Sequence, residues 1–135
     1  MIETIQIILE IGTSLLSLKS FFINSKRKKE ISEWLYELGS NVEDLAHYLE
    51  NNQYPNNCCQ RMTIVYDDLH TIVGDAITNK DEENLKDLIR SCLNIERLYY
   101  EYINLDEPNK IDCVQELHSI AGSILGMADT LKYQK

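Results

Sequence analysis

Two prolines and five glycines in 135 residues leave this chain few places to turn sharply. Both residue types punctuate regular structure, so their scarcity favours a few long elements over many short ones. Sustained alternation of apolar and polar residues is missing throughout, so no β-strand is expected. There is no glycine-rich phosphate loop, no C-x-x-C pair and no cysteine–histidine spacing suited to structural zinc. The four cysteines, Cys58, Cys59, Cys92 and Cys113, read as reduced thiols of a cytoplasmic protein. Adjacent His118 and Ser119 point apart on a helix and lack a strand-turn-helix elbow, which removes the obvious nucleophile–base pair. Enzyme activity is therefore not expected, and neither is a cofactor or a metal.

Positive charge is also scarce outside one short segment. The chain carries a formal charge of −9. Residues 1–29 set Glu3 and Glu10 against Lys19, Lys26, Arg27, Lys28 and Lys29, a net of +3; the other residues hold 8 cations and 20 acids, a net of −12. An acidic body repels phosphate backbones, so nucleic acid is not an expected partner. The run SKRKK is the place that would draw an anionic surface.

What is abundant is helical periodicity. Ile5, Ile8, Ile11, Leu15, Leu18 and Phe22 form an apolar face opposite a polar stripe of Glu3, Gln6, Glu10, Thr13, Ser17, Ser20 and Asn24. Further stripes are Ile31–Leu35–Leu38–Val42–Leu45–Leu49, Met62–Tyr66–Leu69–Val73–Ala76, Leu85–Leu88–Cys92–Ile95–Tyr99–Tyr102 and Val114–Leu117–Ala121–Ile124–Ala128–Leu131. They predict one all-α domain over residues 1–135, with helices at about 2–24, 28–51, 58–78, 82–104 and 108–132. The expected architecture is an antiparallel four-helix bundle plus a fifth, C-terminal helix. Asp81 is a candidate N-cap, and Pro108 suits a first helical turn.

The opening stretch carries most of the functional information. A secretory signal has its cations before the apolar core, whereas here they follow it. A constitutive membrane span has the right length, but a charge near its centre costs about 2.5–3.5 kcal/mol. A wide apolar face is what a bundle helix shows when neighbours surround it. The same helix, once released, can lie in or enter a bilayer. Lys26, Arg27, Lys28 and Lys29 beside it would contact anionic headgroups at about 1 kcal/mol per cation. Trp34 suits either a lipid boundary or a core anchor.

Other constellations read as structural. Asp44 precedes His47 by three residues, and Asp67 precedes His70 likewise, so each pair shares a helix face. Di-iron bundles use glutamates in such positions, and these read instead as surface pairs. Gly122-Ser-Ile-Leu-Gly126 reads as a site of close helix packing, and Tyr99 and Tyr102 as a core stripe with Tyr100 at its edge.

An apolar helix from Met1, the basic SKRKK, and a second helix bearing LGSNVEDLAHYLE with Gly39 together resemble the HeLo and HeLo-like domains. That group includes the N-terminal bundles of mixed-lineage-kinase-domain-like proteins and bacterial relatives. The resemblance implies a cell-death or defence effector that homo-oligomerises after a signal from a signalling partner protein in trans. Its first helix, Ile2 to Ile23, would insert into membrane, with Glu3 and Glu10 lining a polar path. Recruitment would be from the cytoplasm to the inner face of the plasma membrane. The alternative is a soluble adaptor or regulatory bundle that binds a protein partner and has no membrane activity.

Overall fold

The computed structural model describes residues 3–56 and 58–133, without the side chains of Cys59 and Gln60. The chain is all-α, with no strand among the described residues. Helix α1 (Glu3–Ser14) runs through a 3₁₀ turn (Leu15–Leu18) into the short α2 (Lys19–Ile23). Then come α3 (Lys28–Glu50), α4 (Cys58–Val73), α5 (Asn79–Leu93), α6 (Ile95–Ile103) and α7 (Glu107–Lys132).

The stripes of α3 and α7 are buried at every position that periodicity marks, from Ile31 to Leu49 and from Val114 to Leu131. These two helices share the most extensive packing face. Ser32 donates its hydroxyl to the Ala128 carbonyl at 2.6 Å, whereas His118 meets Glu43 farther along α3, so the pair runs antiparallel. Gly39 permits the close approach: a Cβ there would lie 2.9 Å from Leu125 Cγ. Helix α4 lies on the other side of α3, where Trp34 is buried and donates Nε1–H to the Val65 carbonyl at 2.9 Å. Of the two readings of Trp34, the core anchor is the one observed.

Helix ends follow local chemistry, with one departure from expectation. Asp106 caps α7 by accepting from Asn109 N, and Pro108 falls in the first turn. The cap of α5 is Thr78, not Asp81: the Thr78 hydroxyl accepts from Asp81 N at 3.1 Å. Asn52 adopts φ 56°, a left-handed conformation that Asn tolerates, just beyond the end of α3.

Three expected helices are interrupted or shortened. The first is broken by the 3₁₀ turn, and its expected start at residue 2 lies outside the described residues. Helix α4 ends at Val73, so Ala76 falls beyond it, and both Tyr66 and Ala76 are half-buried. The stretch expected at 82–104 divides at Asn94, whose ψ of 63° leaves the helical region. That kink re-phases the buried side, so Leu98 and Glu101 face inward and Tyr99 is only half-buried.

Candidate functional site

The residues of the first helical stretch sort cleanly by face. Ile5, Ile8, Leu15, Leu18 and Phe22 are buried, with α1 packed on α5, α6 and α7 and α2 on α3 and α7. Ile11 is not: it is half-buried, and Gly12 takes the inward place. A Cβ on Gly12 would come within 2.8 Å of Ile120 of α7, so glycine lets that side chain press against the helix backbone. Every member of the polar stripe, Glu3 and Glu10 included, is exposed. So are two large apolar side chains, Leu16 at 52% and Phe21 at 45%.

Hydroxyls weaken the middle of this stretch. Thr13 donates to the Leu9 carbonyl, Ser14 to that of Ile11 and Ser17 to that of Ser14. Such back-bonding competes with the regular ladder and bends helices. The 3₁₀ turn sits at this point and separates α1 from α2.

The first turn of α1 is held from a distance. The Glu101 carboxylate, whose side chain is 2% exposed, accepts from the backbone N–H of Thr4 at 3.2 Å and of Ile5 at 3.1 Å. These are donors that a helix cannot satisfy internally. Arg97 completes the latch, giving Nε to Glu101 at 3.2 Å and Nη2 to Glu3 at 2.8 Å. No local sequence signal marks Glu101, because its partners lie 96 and 97 residues away.

Of the basic run, Lys26, Arg27 and Lys29 are exposed, while Lys28 is half-buried. Arg27 also donates Nη1 to the Thr71 carbonyl, which ties the run to α4. The ion pairs among the described residues lie elsewhere, as in Arg61–Glu37, Lys86–Glu82 and Arg97–Glu3, so these four cations carry no carboxylate partner. Lys26 and Arg27 border a hollow of about 450 Å³ with Phe21 and Ile72. Lys28 and Lys29 border a larger one of about 750 Å³ between α3 and the end of α7, where Tyr36 and Leu131 supply apolar walls.

The histidines find partners other than the nearby aspartates. Asp44 faces Arg61 at 3.6 Å, and His70 meets Glu82 at 2.9 Å. His47 lies 3.3 Å from Glu43 and 3.8 Å from Glu50. His118 reaches the same two glutamates from α7, at 2.7 and 3.4 Å. Close packing at Gly122 and Gly126 is likewise not found: a Cβ at either would have nothing within 4 Å. Burial raises the Cys92 and Cys113 thiols to about 12, with small additions from Cys58 and Glu116 respectively.

No protein-family model, curated protein or solved structure matches the chain.

Proposed function

We propose that this all-α domain binds and perturbs anionic membranes, in the manner of a HeLo-like cell-death or defence effector. The observation that carries the reading is the stretch Glu3–Ile23. Its most apolar 18-residue window has a mean hydropathy of 1.4, yet only 33% of that window is buried. The buried third is the inward face of Ile5, Ile8, Leu15, Leu18 and Phe22, and the large apolar side chains Leu16 and Phe21 lie outside it. Four cations that have no carboxylate partner among the described residues follow it, and Leu16 and Phe21 already reach solvent.

The energetics suggest two stages. Exposed Phe21, Lys26 and Lys29 can meet headgroups without any unfolding. Release of α1 is costlier, because burying five large apolar side chains contributes on the order of 10 kcal/mol before entropy is counted. The bilayer, or further copies of the chain, must rebury that surface. Oligomerisation at the inner face of the plasma membrane would supply both.

The test is vesicle sedimentation and dye release with neutral and phosphatidylserine-containing liposomes. A Lys26→Gln/Lys29→Gln variant should bind anionic vesicles about 30-fold more weakly, from about 1 kcal/mol for each cation. Phe21→Ser should lower leakage while leaving the far-ultraviolet circular dichroism unchanged. Equal binding to neutral and anionic vesicles, or no binding by the native chain, would reject the reading. In the second case the apolar-walled hollow beside Tyr36 would favour a protein-interaction module instead.

A further inference from the structure

We propose that Glu43, His47 and His118, with Glu50 beside them, form a zinc site that staples α3 to α7. The inference is independent of any action on membranes.

The site is assembled by helix geometry. Glu43, His47 and Glu50 stand at i, i+4 and i+7, so α3 presents all three on one face. Helix α7 brings His118 across to them, 75 residues from Glu43 in sequence. One donor atom from each of Glu43, His47 and His118 lies within 4.8 Å of the other two. Glu43 Oε1 is already shared, 3.3 Å from His47 Nε2 and 2.7 Å from His118 Nδ1. A tetrahedral Zn²⁺ with bonds of about 2.0–2.1 Å needs donors about 3.3 Å apart. One contact has that spacing now, and the other reaches it if the His118 ring recedes by roughly half an ångström, within ordinary side-chain adjustment for the geometry zinc requires.

The chemistry of the set selects the ion. Two imidazoles with carboxylates suit a borderline divalent cation, whereas Ca²⁺ and Mg²⁺ prefer oxygen alone. Glu43 gives the ion a carboxylate, while Glu50 lies by the opposite ring nitrogens, 3.8 Å from His47 Nδ1 and 3.4 Å from His118 Nε2, where it can accept the N–H groups that metal binding leaves and orient both rings; the acidic body adds a favourable field. The site also sits between the two helices that share the most extensive packing face, joined at Gly39 and by the Ser32–Ala128 hydrogen bond. Rigid placement limits the entropy lost on binding. His47 is 58% exposed, so an ion can enter from solvent without opening the core.

The experiment uses the full chain, free of affinity tags and with accessible thiols alkylated, titrated with Zn²⁺ against a chromogenic chelator. The expected result is one Zn²⁺ per chain. His47→Gln and His118→Gln should each weaken binding roughly tenfold or more, as loss of a site group does. His70→Gln, which alters the remaining histidine, should bind like the native chain. Zinc should also raise the thermal midpoint of the native chain but not of His118→Gln. Amide resonances perturbed by zinc should cluster around residues 43–50 and 115–121. Absence of one-to-one binding, equal affinity in all three variants, or perturbations scattered over the chain would overturn the proposal.

Discussion

Glu101→Ala would strip the first turn of α1 of both acceptors that hold it. In the native chain one buried carboxylate takes the Thr4 and Ile5 backbone donors and anchors Arg97. Losing a capping acceptor costs about 0.5–2 kcal/mol. Each donor left buried without a partner adds about 1–3 kcal/mol, less where the helix end can fray into water. The expected loss is therefore about 2–4 kcal/mol, out of a total that for domains is about 5–15 kcal/mol. Glu101→Gln should cost less, about 1–2 kcal/mol, because an amide oxygen can still accept while the charge at the positive end of the helix is gone. Hydrogen exchange distinguishes a local latch from a general weakening. Amides of α1 should lose protection first, while those of α3 and α7 stay slow until global unfolding. If urea denaturation shifts by less than about 0.5 kcal/mol, at the level of an ordinary surface change, the latch is not a structural device. If exchange accelerates evenly over all helices, Glu101 supports the whole bundle rather than α1. Under the membrane reading, both variants should also leak anionic vesicles faster than the native chain.

Three further outcomes follow from other contacts. Glu82 is held below the usual carboxylate range chiefly by its hydrogen bond with His70, with Lys86 assisting against the cost of burial. Its folded value lies below its unfolded one, so its stabilisation is complete above the ordinary carboxylate range and drains away as pH falls through the folded value. Urea titrations of the native chain and Glu82→Gln should therefore converge in acid, and a constant gap would refute this assignment. Cys92 and Cys113, both raised to about 12, should resist iodoacetamide in mildly alkaline buffer and react once the chain is unfolded. Gly122→Ala and Gly126→Ala should each stabilise α7 by about 0.4–1 kcal/mol, since the added methyl meets open space and the backbone loses unfolded-state freedom; a drop in melting temperature would show that these positions are covered in solution.

Much of this fold was legible from periodicity. Helices α3 and α7 are long and packed along one face, so a simple apolar stripe describes them. The polar stripe of the first helix was equally plain. Its interruption was not, because Thr13, Ser14 and Ser17 bend the ladder through hydroxyl bonds that leave the pattern of polarity intact. Thr78 could have been found as the α5 cap: a threonine three residues before an acid is a familiar helix start, and Asp81 drew attention from it. Asn94 gave a weaker hint of the kink between α5 and α6. The Glu101 latch and the meeting of His118 with Glu43 and His47 were out of reach, since both depend on partners more than 70 residues apart. As for the candidate surface, the basic run was evident, but not that Lys28 would be half-buried or Arg27 tied to Thr71.

The first helix packs on α5, α6 and α7, the last elements to be made. A ribosome adding about 5–20 residues per second needs roughly 5–20 s to pass from Ile8 to Ile120. Until α5 emerges, α1 lacks its most extensive native partner, and it stays incompletely covered until α7 is made. Birth therefore exposes the same surface that a trigger would have to uncover later. A cell producing this chain must either shield that surface as it emerges or tolerate its company, and chaperone demand should scale with the apolarity of α1 and not with the stability of the finished fold.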